Sequence, residues 1–179
     1  MNMNANMEGK QWYAVRLRPR AEKMVALHLR DKGYEEYLPL YRSRRRWSDR
    51  MKEVELPLFP GYIFCKFDVT NRLPILVIPG VISITGCGKI PLPIPEHEIT
   101  SVQRVVTSTM PYGPWASMGV GQAVRVRSGP LEGLEGKILE LRNAYHLVIS
   151  VTMLSRSVSV LIDRSDVTPI NDRRLKTAV

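Results

Sequence analysis

The sequence predicts an α+β domain followed by a small β-barrel, on three observations. Residues 11–108 alternate strand-like and helix-like apolar patterns, which suits helices packed on one face of an antiparallel sheet. Residues 109–120 form a break: "TMPYGPWASMG", Thr109 to Gly119, carries two prolines, two glycines and no charge, and reads as a linker. Beyond it, residues 121–171 hold five short, mostly β-branched stretches, spaced as in a five-stranded barrel. Residues 1–10 and 172–179 read as a disordered start and a frayed basic tail.

The first domain has the predicted order β-α-β-β-α-β-α. "QWYAVRLR", Gln11 to Arg18, is a strand leading to Pro19, which suits a first helical position because it has no N–H to leave unpaired. Ala21, Met24, Val25, His28 and Leu29 follow at helical spacing, with His28 packed on the helix face, and Gly33 supplies the stop. Two long extended segments, Tyr34 to Trp47 and Met51 to Phe67, then flank a polar turn as a β-hairpin. "TNRLPILVIPG" is a short helix or turn, "VISIT" a strand, and Pro95 opens a second amphipathic helix with Ile99, Val102, Val105 and Val106 apolar. The strand after Gly61 raises a question: Tyr62, Phe64 and Lys66 alternate with Ile63, Cys65 and Phe67, so both faces are largely apolar and both need cover.

In the second domain "QAVRVRS", "GKILELR", "HLVISVT", "SVSVLID" and "DVTPI" are the five strands. Val148, Ile149, Val151 and Thr152 form one β-branched cluster, and Val158, Val160 and Ile162 alternate in another, which favours strand over helix.

Composition narrows the function. With 44% hydrophobic and 24% charged residues the chain is globular. The start lacks an apolar signal core, and the longest apolar run, from Leu73, is broken by Pro74, Pro79 and Gly80 and is too short to span a bilayer. Cys65 and Cys87 fit no metal spacing, so reduced thiols, a cytoplasmic location and no metal or cofactor are expected. The net charge is +9, and residues 1–108 hold 17 basic against 11 acidic side chains, whereas residues 121–171 hold 6 against 5. A positive field confined to the first domain points to a polyanion there; a solvated surface is the plainer account of the same charge.

Catalytic patterns are absent. The glycines of "SGPLEGLEGKI" lie between strands rather than opening a helix, and Leu131 and Ile138 stand where a P-loop needs glycine and serine or threonine. His28, His97 and His146 are scattered without a metalloprotease pattern, and Cys87 near Lys89 is a lone cysteine in a turn. No enzymatic activity is expected.

Two motifs together carry a resemblance. "WYAVRLRPRAEKMVALHL" with "LPLFPGYIFCKF" resembles the N-terminal (NGN) domain of NusG-type transcription elongation factors. "GQAVRVRSGPLEGLEGKILEL" resembles the KOW motif of their C-terminal domain, so the likeness covers about residues 11–170 in the right order. It implies a factor that binds RNA polymerase and modulates processivity, pausing and termination or antitermination. In the family the "FPGY-x-F" patch docks on the clamp helices of the largest polymerase subunit. Here that patch is Phe59, Pro60, Tyr62 and Phe64, with Ile99 as a neighbour.

The resemblance also implies roles for the basic residues. Arg16, Arg18, Arg20 and Lys23 border the strand–helix junction, where specialised relatives touch non-template DNA. Arg42, Arg44, Arg45, Arg46, Arg50 and Lys52 crowd the hairpin tip, which in the family lies near upstream DNA. In the KOW loop, Gly129, Pro130, Leu131, Gly133, Leu134 and Gly136 are the partner-binding positions, with Rho or a small-subunit ribosomal protein as the family's partners. Leu131 and Leu134 stand where general NusG proteins usually carry phenylalanine. That departure, with the arginine-rich hairpin, is similar to specialised paralogues serving long capsule or secondary-metabolite operons. The alternative reading is an RNA-binding or ribosome-associated KOW protein, which Glu132 and Glu135 in the loop disfavour.

Overall fold

The computed structural model describes residues 9–47, 50–115, 121–141 and 144–170. They form two units: one runs to Thr100 and includes Val151–Leu154, and the other comprises Ser101–Ser150 and the residues from Ser155.

The first unit is built on a four-stranded antiparallel sheet, β2-β5-β1-β6, with β1 Gln11–Leu17, β2 Glu35–Tyr37, β5 Tyr62–Phe67 and β6 Val81–Ile84. Helix α1, Glu22–Asp31, and the short α2, Leu73–Leu76, lie on one face of it. There Tyr13, Val15 and Leu17 of β1 and Ile63, Cys65 and Phe67 of β5 form one buried core with Val25, Ala26, Leu29 and Ile75. The period-two alternation of both strands sends these residues to one side together. Burial pushes the Cys65 thiol up to about 12, with Glu36 and Glu35 adding to the shift, so this cysteine is an inert packing group.

The opposite face answers the question of cover. Phe64 lies between the edge-on ring of Phe59, 5.4 Å away, and the stacked ring of Tyr37, 6.3 Å away. Trp12 bridges to Ile94, whose N–H donates to the Trp12 carbonyl at 2.7 Å, just before helix α3, Glu96–Thr107. The Lys66 ammonium sits 5.8 Å from the centre of the Trp12 ring and pairs with Glu96 at 2.9 Å, which raises its pKa. Helices α1 and α2 thus cover one face of the sheet, and the Lys66–Glu96 pair brings the start of α3 beside the other.

Three local expectations change. Helix α1 begins three residues after Pro19. The Ala21 N–H donates to the Arg18 carbonyl at 3.2 Å, and Arg20 has φ +67°, so Pro19 and Arg20 occupy the middle of a type II turn. Met24 and His28 are exposed, and Ala26 takes their place on the buried face. The extended run from Tyr34 breaks at the buried Pro39 into β2 and β3, Leu40–Trp47. Strand β3 pairs only with β4, Arg50–Pro57, as a two-stranded ribbon separate from the main sheet. The glycine stop holds: Gly33 and Tyr34 donate to Arg30 and Leu29 in a Schellman arrangement. A small hairpin, β7 Gly86–Cys87 and β8 Ile90–Pro91, precedes α3.

All five expected strands are present, β12 with its last residue assigned to the first unit: β10 Gln122–Val126, β11 Glu135–Leu141, β12 Ala144–Val151, β13 Arg156–Ile162 and β14 Val167–Pro169. A sixth, β9 Tyr112–Trp115, lies in the stretch expected to be a linker and pairs with β13, giving the order β14-β10-β11-β12-β13-β9. Residues 116–120 of that stretch, the expected tail from 172 and residues 1–8 lie outside the described residues. Inside this sheet Gly136 allows close approach: an added Cβ would stand 2.8 Å from both the Val148 carbonyl oxygen and Ile149 Cδ1. Gly136→Ala is expected to destabilise the protein by about 1–3 kcal/mol, as overpacking does. Urea denaturation checks this, and a midpoint shift confined to near-UV or fluorescence signals of the second unit would locate it.

Candidate functional site

The "FPGY" segment is a tight turn between the ribbon and β5. The Tyr62 N–H donates to the Phe59 carbonyl at 3.1 Å, Pro60 occupies the second position, and Gly61 the third with φ +81°. This is the type II pattern, which proline favours at its second position and glycine at its third. Both polar groups of Gly61 are bound: its N–H donates to Glu22 Oε1 at 2.9 Å, and its carbonyl accepts from the Leu17 N–H at 2.8 Å. Glu22 belongs to the first turn of α1 and is buried, so a side chain of the helix start holds a backbone N–H of the turn. A carboxylate in a helix's first turn reads from sequence only as a dipole-favoured residue, so this link carries no sequence signal.

The turn and the basic strand–helix junction form one surface. Arg16 pairs in register with Tyr62, while the Leu17 and Glu22 bonds join the junction to Gly61. Arg16, Arg18, Arg20 and Lys23 are all exposed there. Of the expected docking residues, Pro60 is exposed and Tyr62 partly so. Phe59, Phe64 and Ile99 correct the expectation of an open aromatic patch: they are 1%, 0% and 1% exposed. For Phe64 the reason is visible in the flanking rings of Phe59 and Tyr37. Tyr37 was not singled out from the sequence, and only its register opposite Phe64 gives it this place.

On the ribbon, Arg42, Arg44, Arg46 and Lys52 are exposed. Arg42 stands opposite Glu55 and Arg44 opposite Glu53, while Arg45 stands opposite Lys52 and Trp47 opposite Arg50. The side chains at 45, 47 and 50 lie outside the described residues.

The KOW-like loop differs most from expectation. Leu131 and Leu134, expected to be free for a partner, are 0% and 4% exposed. The loop folds back on itself, with the Gly133 N–H donating to Val126 and the Val126 N–H to Leu134, so both leucines serve as packing groups. Gly136 belongs to β11 rather than to the loop. Gly129, Pro130 and Gly133 are exposed and remain the outward positions. Ser128 and Arg127 tie the loop's start to Asp166 and to the Ser165 carbonyl, at 2.8 and 2.7 Å. Among the described residues, no group of three His, Cys, Asp or Glu is placed to hold a metal, and no helix is long and apolar enough to cross a membrane.

A family model described as "Transcription termination factor nusG" matches residues 10–103, more than half of the chain and the whole of this surface. The chain belongs to the NusG family. A NusG of Lactococcus lactis, described as a transcription termination/antitermination protein, is 27% identical over 157 residues, covering 83% of this chain and 82% of that protein. A NusG of Thermus thermophilus with the same description is 26% identical over 178 residues, covering 88% and 97%. A solved structure described as "Domain interaction in Thermotoga maritima NusG" has a similar fold, with a TM-score of 0.55 and 22% identity over 92% of this chain and 99% of that one. The NusG likeness thus extends over both units, as the two sequence motifs suggested.

The packing separates anchors from contacts. Phe64→Ala is expected to cost about 3–5 kcal/mol of stability, as truncation of a buried aromatic does. Glu22→Ala, which leaves the Gly61 N–H without its acceptor, is expected to cost about 1–3 kcal/mol. Chemical denaturation measures both; near-wild-type stability for Phe64→Ala would mean its burial contributes nothing to the fold.

Proposed function

We propose that this NusG-family chain is a transcription elongation factor that binds RNA polymerase through its first unit and modulates pausing and termination or antitermination. The observation that carries the reading is the joining of the Phe59–Tyr62 turn to the basic junction through Glu22 and Leu17. It offers an apolar contact and a positive rim on one rigid support. A helical hairpin of the polymerase, the clamp helices of its largest subunit, suits the apolar part. Nucleic acid of the elongation complex suits Arg16, Arg18, Arg20 and the ribbon, through phosphates and with little sequence reading. The exposed loop positions Gly129, Pro130 and Gly133 support recruitment of a further protein, Rho or a small-subunit ribosomal protein, by the second unit.

In this reading the docking contact rests on Tyr62 and Pro60, which reach solvent, whereas Phe59 and Phe64 are buried. Tyr62→Ala should weaken binding to core RNA polymerase by about tenfold or more, the scale of an interface hot spot, while the melting curve stays close to wild type. Fluorescence anisotropy with purified polymerase, alongside thermal melts, makes the test. Unchanged affinity in a stably folded Tyr62→Ala variant would refute the docking assignment.

A further inference from the structure

We propose that the side of β13 now covered by β9 is a binding edge for an extended segment of a partner protein, and that β9 is a stand-in which the partner replaces. This goes beyond the recruitment surface named above, which uses the exposed loop positions of the same unit.

Strand β9 fills its place poorly. Its register sets Tyr112 opposite Val160, Gly113 opposite Ser159, Pro114 opposite Val158 and Trp115 opposite Ser157. The Leu161 N–H donates to the Pro111 carbonyl at 3.0 Å, so Pro111 continues the ladder. Bonded and unbonded pairs alternate in an antiparallel ladder, which makes 111, 113 and 115 the positions that bond to β13. Pro111 has no N–H to return, so the ladder is incomplete at that end. Gly113 leaves a second gap. An added Cβ there would meet nothing within 4 Å, and the backbone lies outside the left-handed region, so an ordinary side chain is allowed. The space is a hollow of about 260 Å³ lined by Pro111, Tyr112, Gly113, His146, Ser159 and Leu161. Trp115, two residues on, packs its ring 5.6 Å from that of His146 and anchors the strand.

These gaps define the partner. An extended segment with an N–H at the place of Pro111 and a bulky apolar side chain at the place of Gly113 would bond and pack more fully than β9 does. It must replace β9 rather than add to it, because the unbonded position of Pro114 turns its missing N–H to the outer side. The hollow suits a protein segment rather than nucleic acid. No Lys, Arg, Asp or Glu lines it, and residues 121–171 hold 6 basic against 5 acidic side chains.

The test uses the full-length chain and two fluorescein-labelled peptides: the native Met110–Trp115 sequence, and the same sequence carrying Pro111→Thr and Gly113→Val. Anisotropy should show the second peptide binding about tenfold or more tighter than the first, the scale of burying one valine side chain. Its affinity should rise in Trp115→Ala, which loosens β9, and fall by about tenfold in Gly113→Val, whose own strand fills the hollow. Amide NMR should place the peptide-induced shifts on Ser157 to Leu161 and on Gly113. Where a variant's melting curve departs strongly from wild type, Trp115→Leu and Gly113→Ala take the places of these two. Equal affinity in all three proteins, or shifts away from β13, would overturn the edge assignment. Shifts on β13 with the Gly113 amide unmoved would overturn the replacement of β9. No measurable binding of the second peptide to Trp115→Ala would overturn the proposal as a whole.

Discussion

Burying both faces of β5 at once is the constraint on which the first unit depends. On one side Ile63, Cys65 and Phe67 join β1 and α1 in the main core. On the other, Phe64 needs aromatic cover, which Phe59 and Tyr37 supply from the elements before and beside it. The chain must therefore reverse tightly just before β5, bringing Phe59 back over Phe64 while Tyr62 enters the sheet. Gly61 makes that reversal possible with its left-handed backbone, and Glu22 and Leu17 hold it from the neighbouring elements. The turn is thus rigid because the core on both sides of one strand requires it.

Much of this was legible where periodicity is strong. The alternation of β1 and β5, the long ribbon, helix α3 and the five strands of the second unit each follow a pattern that one segment carries alone. What was not legible depends on a partner far along the chain. Leu131 in a glycine-rich loop looks the same in sequence whether it points at a ligand or into its own unit, and the bond between Gly133 and Val126 decides the matter. Pro19 suits a helix start and the second position of a type II turn equally well. Arg20 in the left-handed region decides it, and that conformation is uncommon for arginine, so residue type gives no warning. Strand β9 was hidden by Gly113 and Pro114, which signal a break; as the outer strand of its sheet, pairing only with β13, it tolerates the proline.

The candidate site shows the same split. Residue types at the turn and in the arginine-rich ribbon were plain, but their roles within each group were not. Three of five expected docking residues are buried and two reach solvent, because a tight turn over a packed strand can present only its outermost residues. Two of the ribbon arginines meet glutamates nine to thirteen residues later in the chain, a pairing that only the register reveals. Counting charges along the sequence overstates the free positive field, and counting aromatics overstates the free apolar area.

These corrections bear on how the two parts of the surface would work together. A small apolar contact of the kind proposed for Tyr62 contributes most when its side chain loses little freedom on binding. Charged groups on a projecting ribbon act at longer range, raising association rates and orienting the encounter, and they are sensitive to salt where the apolar contact is not. The ribbon and the turn are consecutive in the chain, since β4 runs directly into Leu58 and Phe59. The Leu58 N–H also donates to the Pro39 carbonyl at the ribbon's base, 2.9 Å away, so the base of the ribbon is tied to the residues that lead into the turn. A change at the base, at Pro39 or Leu58, would accordingly disturb the ribbon and the turn together.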